Sequence, residues 1–146
     1  MSNIKNIQKF YYNLTIKEHH LDTFGHVNNA VYLELFEEAR WEFITENGYG
    51  LKKIQQEKKG PIILETNIKF LKELKLREKI IIETFCTEVS KKIIKIKHFI
   101  RNTEDIICSE ADFTMAFFDL EKRKIIEQPK EWLNAIGIHF ADEMSN

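Results

Sequence analysis

At 146 residues, with 43% hydrophobic and 31% charged side chains, the chain has the size and balance of one globular domain with a sizeable core. Its formal net charge of -1, from 22 Lys+Arg against 23 Asp+Glu, gives no electrostatic reason to expect nucleic acid or an anionic membrane as a partner. No apolar run suits a signal peptide or a membrane span, and Cys86 and Cys108 sit in apolar runs without metal spacing, so buried free thiols in a cytoplasmic protein are expected.

FYYNLTIKEH, residues 10–19, alternates as a strand, with Tyr12, Leu14 and Ile16 on one face. From Ala30 to about Asn47 the period becomes helical, placing Tyr32, Leu35, Phe36, Ala39 and Phe43 at three- and four-residue steps, and Gly48 suits the left-handed residue that ends a helix. After a polar segment containing Lys58-Lys59-Gly60-Pro61 the period falls to two. ILETNIKFL predicts a strand with Leu64, Thr66, Ile68 and Phe70 on one face. KIIIETFCTEV, IIKIKHFIR and IICSEADFTMAFFDL predict three more, separated by turns at 90–92 and 102–105. Lys91, Lys92, Lys95 and Lys97 read as a solvated strand face. Pro129 before KEWLNAIGIHF predicts a short closing helix with proline in its first turn.

The order is strand, long helix, then four strands. The helix is apolar on more than one side, including Val31, Leu33, Trp41 and Ile44, so it is expected to be broadly covered. The expected fold class is α+β: one long central helix wrapped by a curved, antiparallel, five-stranded sheet, the hotdog architecture, over a single domain of residues 1–146. Long apolar strands need an edge partner or a cover, which favours a homo-oligomer.

The stretch DTFGHVNN, residues 22–29, packs a carboxylate, a glycine, a histidine and two asparagines into the mouth of that helix. One reading is structural: Asn28 or Asn29 caps the helix, Gly25 relieves a turn, and His26 bonds backbone. The other is chemical. A helix's first turn presents unpaired N–H groups to any carbonyl that develops negative charge there. Asp22 is then placed to act on that carbonyl as a general base on water or as a nucleophile, and His26 to hydrogen-bond the carboxylate or the carbonyl. Spacing leaves these roles open. No G-x-S-x-G, H-E-x-x-H, C-x-x-C or glycine-rich phosphate loop occurs, so neither a serine nucleophile, a metal nor a cofactor is expected.

HLDTFGHVNNAVYLELFEEARW, residues 20–41, resembles the signature of acyl-CoA thioesterases of the 4-hydroxybenzoyl-CoA thioesterase-like hotdog group. Within it the segment looks most like the bacterial long-chain acyl-CoA thioesterase III branch, through H-L-D, H-V-N-N-A and E-E-A-R-W. The resemblance implies hydrolysis of a medium- to long-chain fatty acyl-CoA to free acid and coenzyme A, without a cofactor. It also implies a homodimer or homotetramer with sites between subunits. Asp22 aligns with the catalytic carboxylate, the Asn29 N–H with the oxyanion donor, and Gly25 with a glycine beside the thioester. His26 matches the histidine of the H-V-N-N form, which plant acyl-ACP thioesterases share. Those plant enzymes carry an asparagine two residues after the aspartate; Phe24 stands there in this chain, which argues against acyl-ACP.

On the substrate side the expectation adds Asn28 and Tyr32, with Lys69 and Lys72, and also Lys91 and Lys92, for the phosphates of coenzyme A. Tyr32, Phe36, Trp41, Ile63 and Phe70 are candidates for an acyl tunnel. In a different hotdog branch a helix glutamate is the nucleophile, which makes Glu37 or Glu38 a fallback; a salt bridge or hydrogen bond to Arg40 or to a neighbouring strand is the structural alternative. A hotdog that binds acyl-CoA without hydrolysing it is the alternative from another class, and the presence of Asp22 counts against it.

Overall fold

The computed structural model describes residues 4–141. Its longest helix, α1 (Asn29–Glu46), starts where the chain supplies a cap: Asn28 is extended (φ −68°, ψ 149°) and its Oδ1 accepts the Ala30 N–H at 2.9 Å. It stops at Gly48, whose φ of +94° lets the Tyr49 N–H reach back to the Ile44 carbonyl at 2.8 Å.

Around α1 the chain builds β1 (Ile4–Ile7), β2 (Phe10–Thr15), α2 (Leu51–Glu57), β3 (Lys59–Phe70), β4 (Lys79–Val89) and β5 (Ile93–Asn102). It continues with β6 (Ile107–Asp119), β7 (Lys124–Ile126), α3 (Lys130–Ala135) and β8 (Ile138–Phe140). The main antiparallel sheet runs β2-β4-β5-β6-β3, with β7 also on β6, and β1 pairs with β8 in a separate ribbon. Alternation buries Ile80, Ile82, Thr84 and Cys86 of β4 with Ile94, Ile96, His98 and Ile100 of β5. On β6 the same alternation buries Ser109, Ala111, Phe113, Met115 and Phe117. This face receives α1: the Phe36 ring stacks on His98 at 5.0 Å and meets Phe113 edge-on at 6.1 Å.

The strands expected at residues 10–19 and at β4 to β6 are present, although the first ends at Thr15 and Glu18–His20 forms a 3-10 turn, and the sheet holds six strands where the pattern predicts five. Two-residue periodicity needs several repeats to register, so β1, β7 and β8, of three or four residues each, escape it. The polar segment before β3 is another difference: it contains α2, closed by left-handed Lys58 (φ 56°), and β3 already begins at Lys59. Pro61 is tolerated there because β3 is an edge strand, where a missing N–H costs no ladder bond. Register also shifts between Ile63 and Glu65. Leu64 is therefore the extra residue of a bulge, and Ile63 joins Thr66, Ile68 and Phe70 on the inner face in its stead. Pro129 caps α3 from outside the helix, and IHF, expected as helix, is β8.

Coverage of α1 is less complete than expected. Val31 and Trp41 are half-buried and Ile44 is buried, but Leu33 and Glu37 are exposed, so one stripe stays open beside β3. Among the described residues no helix is long and apolar enough to cross a membrane.

Two glycines with similar dihedrals test the packing. A Cβ at Gly137 (φ +93°) lands 2.9 Å from Phe43 Cζ and 3.0 Å from the Gln8 carbonyl oxygen, whereas at Gly48 nothing lies within 4 Å. Gly137→Ala is expected to lower stability by about 2–4 kcal/mol, left-handed strain plus overpacking. Gly48→Ala carries the strain alone, about 1 kcal/mol. Urea unfolding of both variants measures the difference.

Candidate active site

The polar stretch before α1 folds into a closed loop. Leu21 and Val27 form an antiparallel bridge, the Asp22 N–H donates to the His26 carbonyl at 2.8 Å, and the Gly25 N–H to the Asp22 carbonyl at 3.1 Å. Gly25 makes the reversal possible with φ +79°. Inside the loop Asp22 Oδ1 accepts two backbone N–H bonds, from Phe24 at 2.9 Å and His26 at 3.1 Å. Val27 is buried and anchors the loop's far side in the core, one residue before the cap. The carboxylate is thus fixed relative to the start of α1, and among the described residues its Oδ2 has no hydrogen-bond partner.

At the helix start the first-turn donors are used unequally. The Ala30 N–H goes to the Asn28 side chain, and the Val31 N–H to the Asn28 carbonyl at 2.9 Å. The Asn29 N–H has no partner among the described residues and lies at the positive end of an 18-residue helix. A carboxylate with one free oxygen and an unpaired N–H at a helix N-terminus are the parts that acyl transfer requires.

The remaining expected residues divide. The His26 ring reaches Glu73, its Nε2 lying 3.3 Å from Glu73 Oε1, and among the described residues only the His26 backbone bonds the Asp22 carboxylate. Glu73 was invisible to sequence reasoning, because it belongs to the segment between β3 and β4 and meets the loop only in the fold. Lys72 is exposed on that same segment. Tyr32 is buried, edge-on to Phe70 at 4.9 Å, and burial raises its hydroxyl pKa. Lys69 is not brought to the site. The strand's alternation turns it to the outer face, where its Nζ lies 3.4 Å from Glu110 Oε1. Lys91 and Lys92 follow the far end of β4, roughly 33 Å of strand from the end beside the loop. Phe36 is wholly buried and belongs to the core. Glu38 bonds a neighbouring strand, as the structural alternative expects: its Oε2 accepts the hydroxyl of Tyr12 on β2 at 2.7 Å. Glu37 pairs with neither Arg40 nor a strand; its Oε1 accepts the Trp41 Nε1–H at 3.1 Å.

Between the C-terminal half of α1 and the start of β3 a cleft opens. Arg40 and Ile44 face Pro61 and Ile63 there across a cavity of about 170 Å³, and Tyr32 meets Phe70 at the far end of the two elements, so α1 and β3 run side by side in opposite directions. Arg40 reaches into the core there, with Nη1 3.0 Å from His98 Nε2, and His98 Nδ1 is 2.8 Å from Thr84 Oγ1. An arginine only donates, so His98 Nε2 accepts and the imidazole is neutral, with its proton on Nδ1 toward Thr84. Burial first, and the Arg40 charge second, hold the His98 pKa well below 6.5.

A single long helix wrapped by this sheet, with a carboxylate loop at its N-terminus, is the hotdog fold. Residues 16–136 match the Thioesterase-like superfamily, and the chain belongs to it. It is 31% identical over 87 residues to the chloroplastic acyl-acyl carrier protein thioesterase ATL3 of Arabidopsis thaliana, a match covering 60% of this chain and 46% of that one. The chain thus spans about half the length of that relative. It is 26% identical over 114 residues to the long-chain acyl-CoA thioesterase FadM of Escherichia coli (strain K12), covering 77% and 86%. A Staphylococcus aureus protein in complex with CoA shares the fold at a TM-score of 0.83 and 19% identity, over 92% of this chain and 85% of that one. The probable thioesterase YbaW of Escherichia coli does so at 0.75 and 23%, over 86% and 95%.

The buried imidazole makes stability sensitive to acid. Its folded pKa is depressed, so its contribution is fully present above the unfolded value of 6.5 and is lost progressively as pH falls from there toward the folded value. From this group alone, unfolding free energy is expected to drop by up to about 1.4 kcal/mol per pH unit in that window. His98→Gln should show a shallower slope by about one proton when urea unfolding is repeated at stepped pH.

Proposed function

We propose that the chain hydrolyses a medium- to long-chain fatty acyl-CoA to the free fatty acid and coenzyme A. The observation that carries this reading is the pairing of Asp22, held through Oδ1 with Oδ2 free, with the unengaged Asn29 N–H at the start of α1. The thioester carbonyl oxygen accepts from the Asn29 N–H. Asp22 takes a proton from water as the water oxygen adds to the carbonyl carbon, and the N–H stabilises the resulting oxyanion. Collapse breaks the C–S bond, and the departing thiolate recovers the proton. Asp22 attacking as nucleophile, through an anhydride that water then opens, uses the same two groups. Gly25 leaves the loop without a side chain beside the thioester, and Asn28 keeps the donor in place by capping α1. His26, steadied by Glu73, borders the leaving group, and Lys72 is the basic residue for the phosphates of coenzyme A.

The acyl chain follows the α1–β3 cleft past Tyr32, Phe70, Ile63 and Trp41. That cleft is open in one protomer: Phe70 is 52% exposed and Ile63 44%, along a strand whose outer edge has no partner among the described residues. Such an edge calls for cover. Two protomers joined along β3, as a homodimer or a pair of them, close the cleft. The two free, buried cysteines suit a reducing compartment such as the cytoplasm.

A second reading, hydrolysis of acyl-ACP, is favoured by the 31% identity to the Arabidopsis relatives of that name. Comparing release from palmitoyl-CoA and palmitoyl-ACP separates the two.

Asp22→Asn keeps an oxygen for both loop N–H groups and removes the charge; release of free coenzyme A should fall by ~10² or more. Asn29→Pro is the sharper variant. Proline is favoured at the first helical position, and Asn28 already holds the extended backbone that precedes proline, so the helix persists while the donor disappears. A loss of about 10²–10³ in kcat with unchanged helicity by circular dichroism is expected. Full activity in Asn29→Pro rejects the oxyanion assignment. On sedimentation the native protein should run as a dimer or tetramer, and Leu64→Lys should shift it toward monomer.

A further inference from the structure

Arg40 is the least expected residue in the core. It is 8% exposed, stacks its guanidinium on Phe113 at 4.1 Å, and gives one hydrogen bond, to a neutral histidine. Among the described residues no carboxylate forms an ion pair with it. A guanidinium carries five N–H donors; beyond the His98 bond the rest reach solvent, since among the described residues no buried side-chain nitrogen lacks a partner, so a ligand that shuts water out must answer them itself. The cavity of about 170 Å³ beside it has apolar walls, from Ile44, Pro61, Ile63, Met115, Trp132 and Ile136. At its rim stands Glu37, whose Oε1 is already fixed by Trp41. For scale, an apolar cavity of ~150 Å³ holds a benzene ring.

We propose that Arg40, with Glu37, makes the far end of the α1–β3 groove selective for an acyl chain that carries a hydroxyl near its terminus. The inference rests on the acyl-CoA reading above and names the substrate class within it. Eleven residues from Asn29 to Arg40 span about 16 Å of helix at ~1.5 Å per residue. An extended chain advances roughly 1.2 Å per bond, as the ~3.5 Å reach of three backbone bonds implies. The arginine leans back toward the helix N-terminus. A chain of about twelve to fourteen carbons therefore runs from the carbonyl at Asn29 to the guanidinium.

The chemistry at that point selects among chain ends. A methyl end displaces water from the guanidinium and leaves its donors unmet. A carboxylate end satisfies Arg40 but is repelled by Glu37. A hydroxyl accepts from Arg40 and donates to Glu37, so it alone answers both groups and adds no charge. His98, wedged between Arg40 and Thr84, is the positioning residue that holds the guanidinium at the cavity wall.

The test compares ω-hydroxytetradecanoyl-CoA with tetradecanoyl-CoA, and ω-hydroxyoctanoyl-CoA with octanoyl-CoA, by kcat/KM in the native protein and in Arg40→Met. Equilibrium binding of the same four compounds is measured in Asp22→Asn with and without Arg40→Met, so that selectivity is read apart from turnover. The expected result is a preference of about 10-fold or more for the hydroxylated tetradecanoyl chain, the size given by one charge-assisted hydrogen bond. The preference should be absent from the octanoyl pair, whose end stops short, and reversed by Arg40→Met. Each ratio is internal to one protein, so a general loss of activity cancels. Should Arg40→Met fail to fold, Glu37→Leu on the exposed rim should reduce the preference several-fold. No preference in the native protein, a preference that survives Arg40→Met, or a stronger preference for an ω-carboxylate overturns the proposal. If coenzyme A is never released yet Arg40 still governs binding, the thioesterase reading fails and the subsite stands; if none of the compounds binds, both fail.

Discussion

Phe36 lies wholly buried between His98 and Phe113, and the arrangement of the whole molecule depends on that contact. It seats the middle of α1 on β5 and β6, with Ala39 and Phe43 continuing the buried stripe. Once that stripe is committed to the sheet, the two ends of the helix and its open side have fixed neighbours. The N-terminus meets the loop that carries Asp22, the C-terminal half meets Pro61, Ile63 and α3, and the open side faces the unpaired edge of β3. Packing in a dense core is bistable and does not deform continuously, so this one seating decides where polar groups at either end of the helix can act.

The Asp22 loop sets a carboxylate beside a helix cap. A loop that stops short of a helix usually needs only to end its hydrogen bonds. Here the carboxylate takes two backbone N–H groups through one oxygen, which fixes its direction at little cost, because ionised acceptors hold N–H donors strongly. The cap itself is delegated to Asn28, which leaves the neighbouring Asn29 N–H unengaged. An ordinary helix start also leaves its first N–H free; what this mouth adds is a carboxylate held by its own loop just before it.

At the other end of the cleft the reasoning runs through desolvation. Arg40 gains a stacking face from Phe113 and an acceptor from His98, yet neither neutralises its charge, and burial lowers its pKa to about 10. The same low-dielectric surroundings keep His98 uncharged. A buried cation tethered to a neutral base makes a polar point that cannot relax away, set here in the wall of an otherwise apolar cavity.

By itself the sequence determined the class of this protein: strand, long helix and successive antiparallel strands follow from a change of period from 3.6 to two, which depends only on neighbours along the chain. The helix start and its cap, expected at Asn28 or Asn29, were legible too, because a cap is a local device; Asn29 as an oxyanion donor came from the resemblance of residues 20–41. Short strands such as β1, β7 and β8 were illegible, since three or four residues carry too few repeats, and so was the Leu64 bulge, which is defined by a partner strand. Tertiary structure alone decided that Lys69 faces Glu110 away from the cleft, that His26 turns to Glu73, and that Arg40 meets His98 fifty-eight residues away instead of the glutamates on its own helix. Which way a side chain's charge is answered depends on which surfaces the fold brings together, and period and propensity hold no information about that.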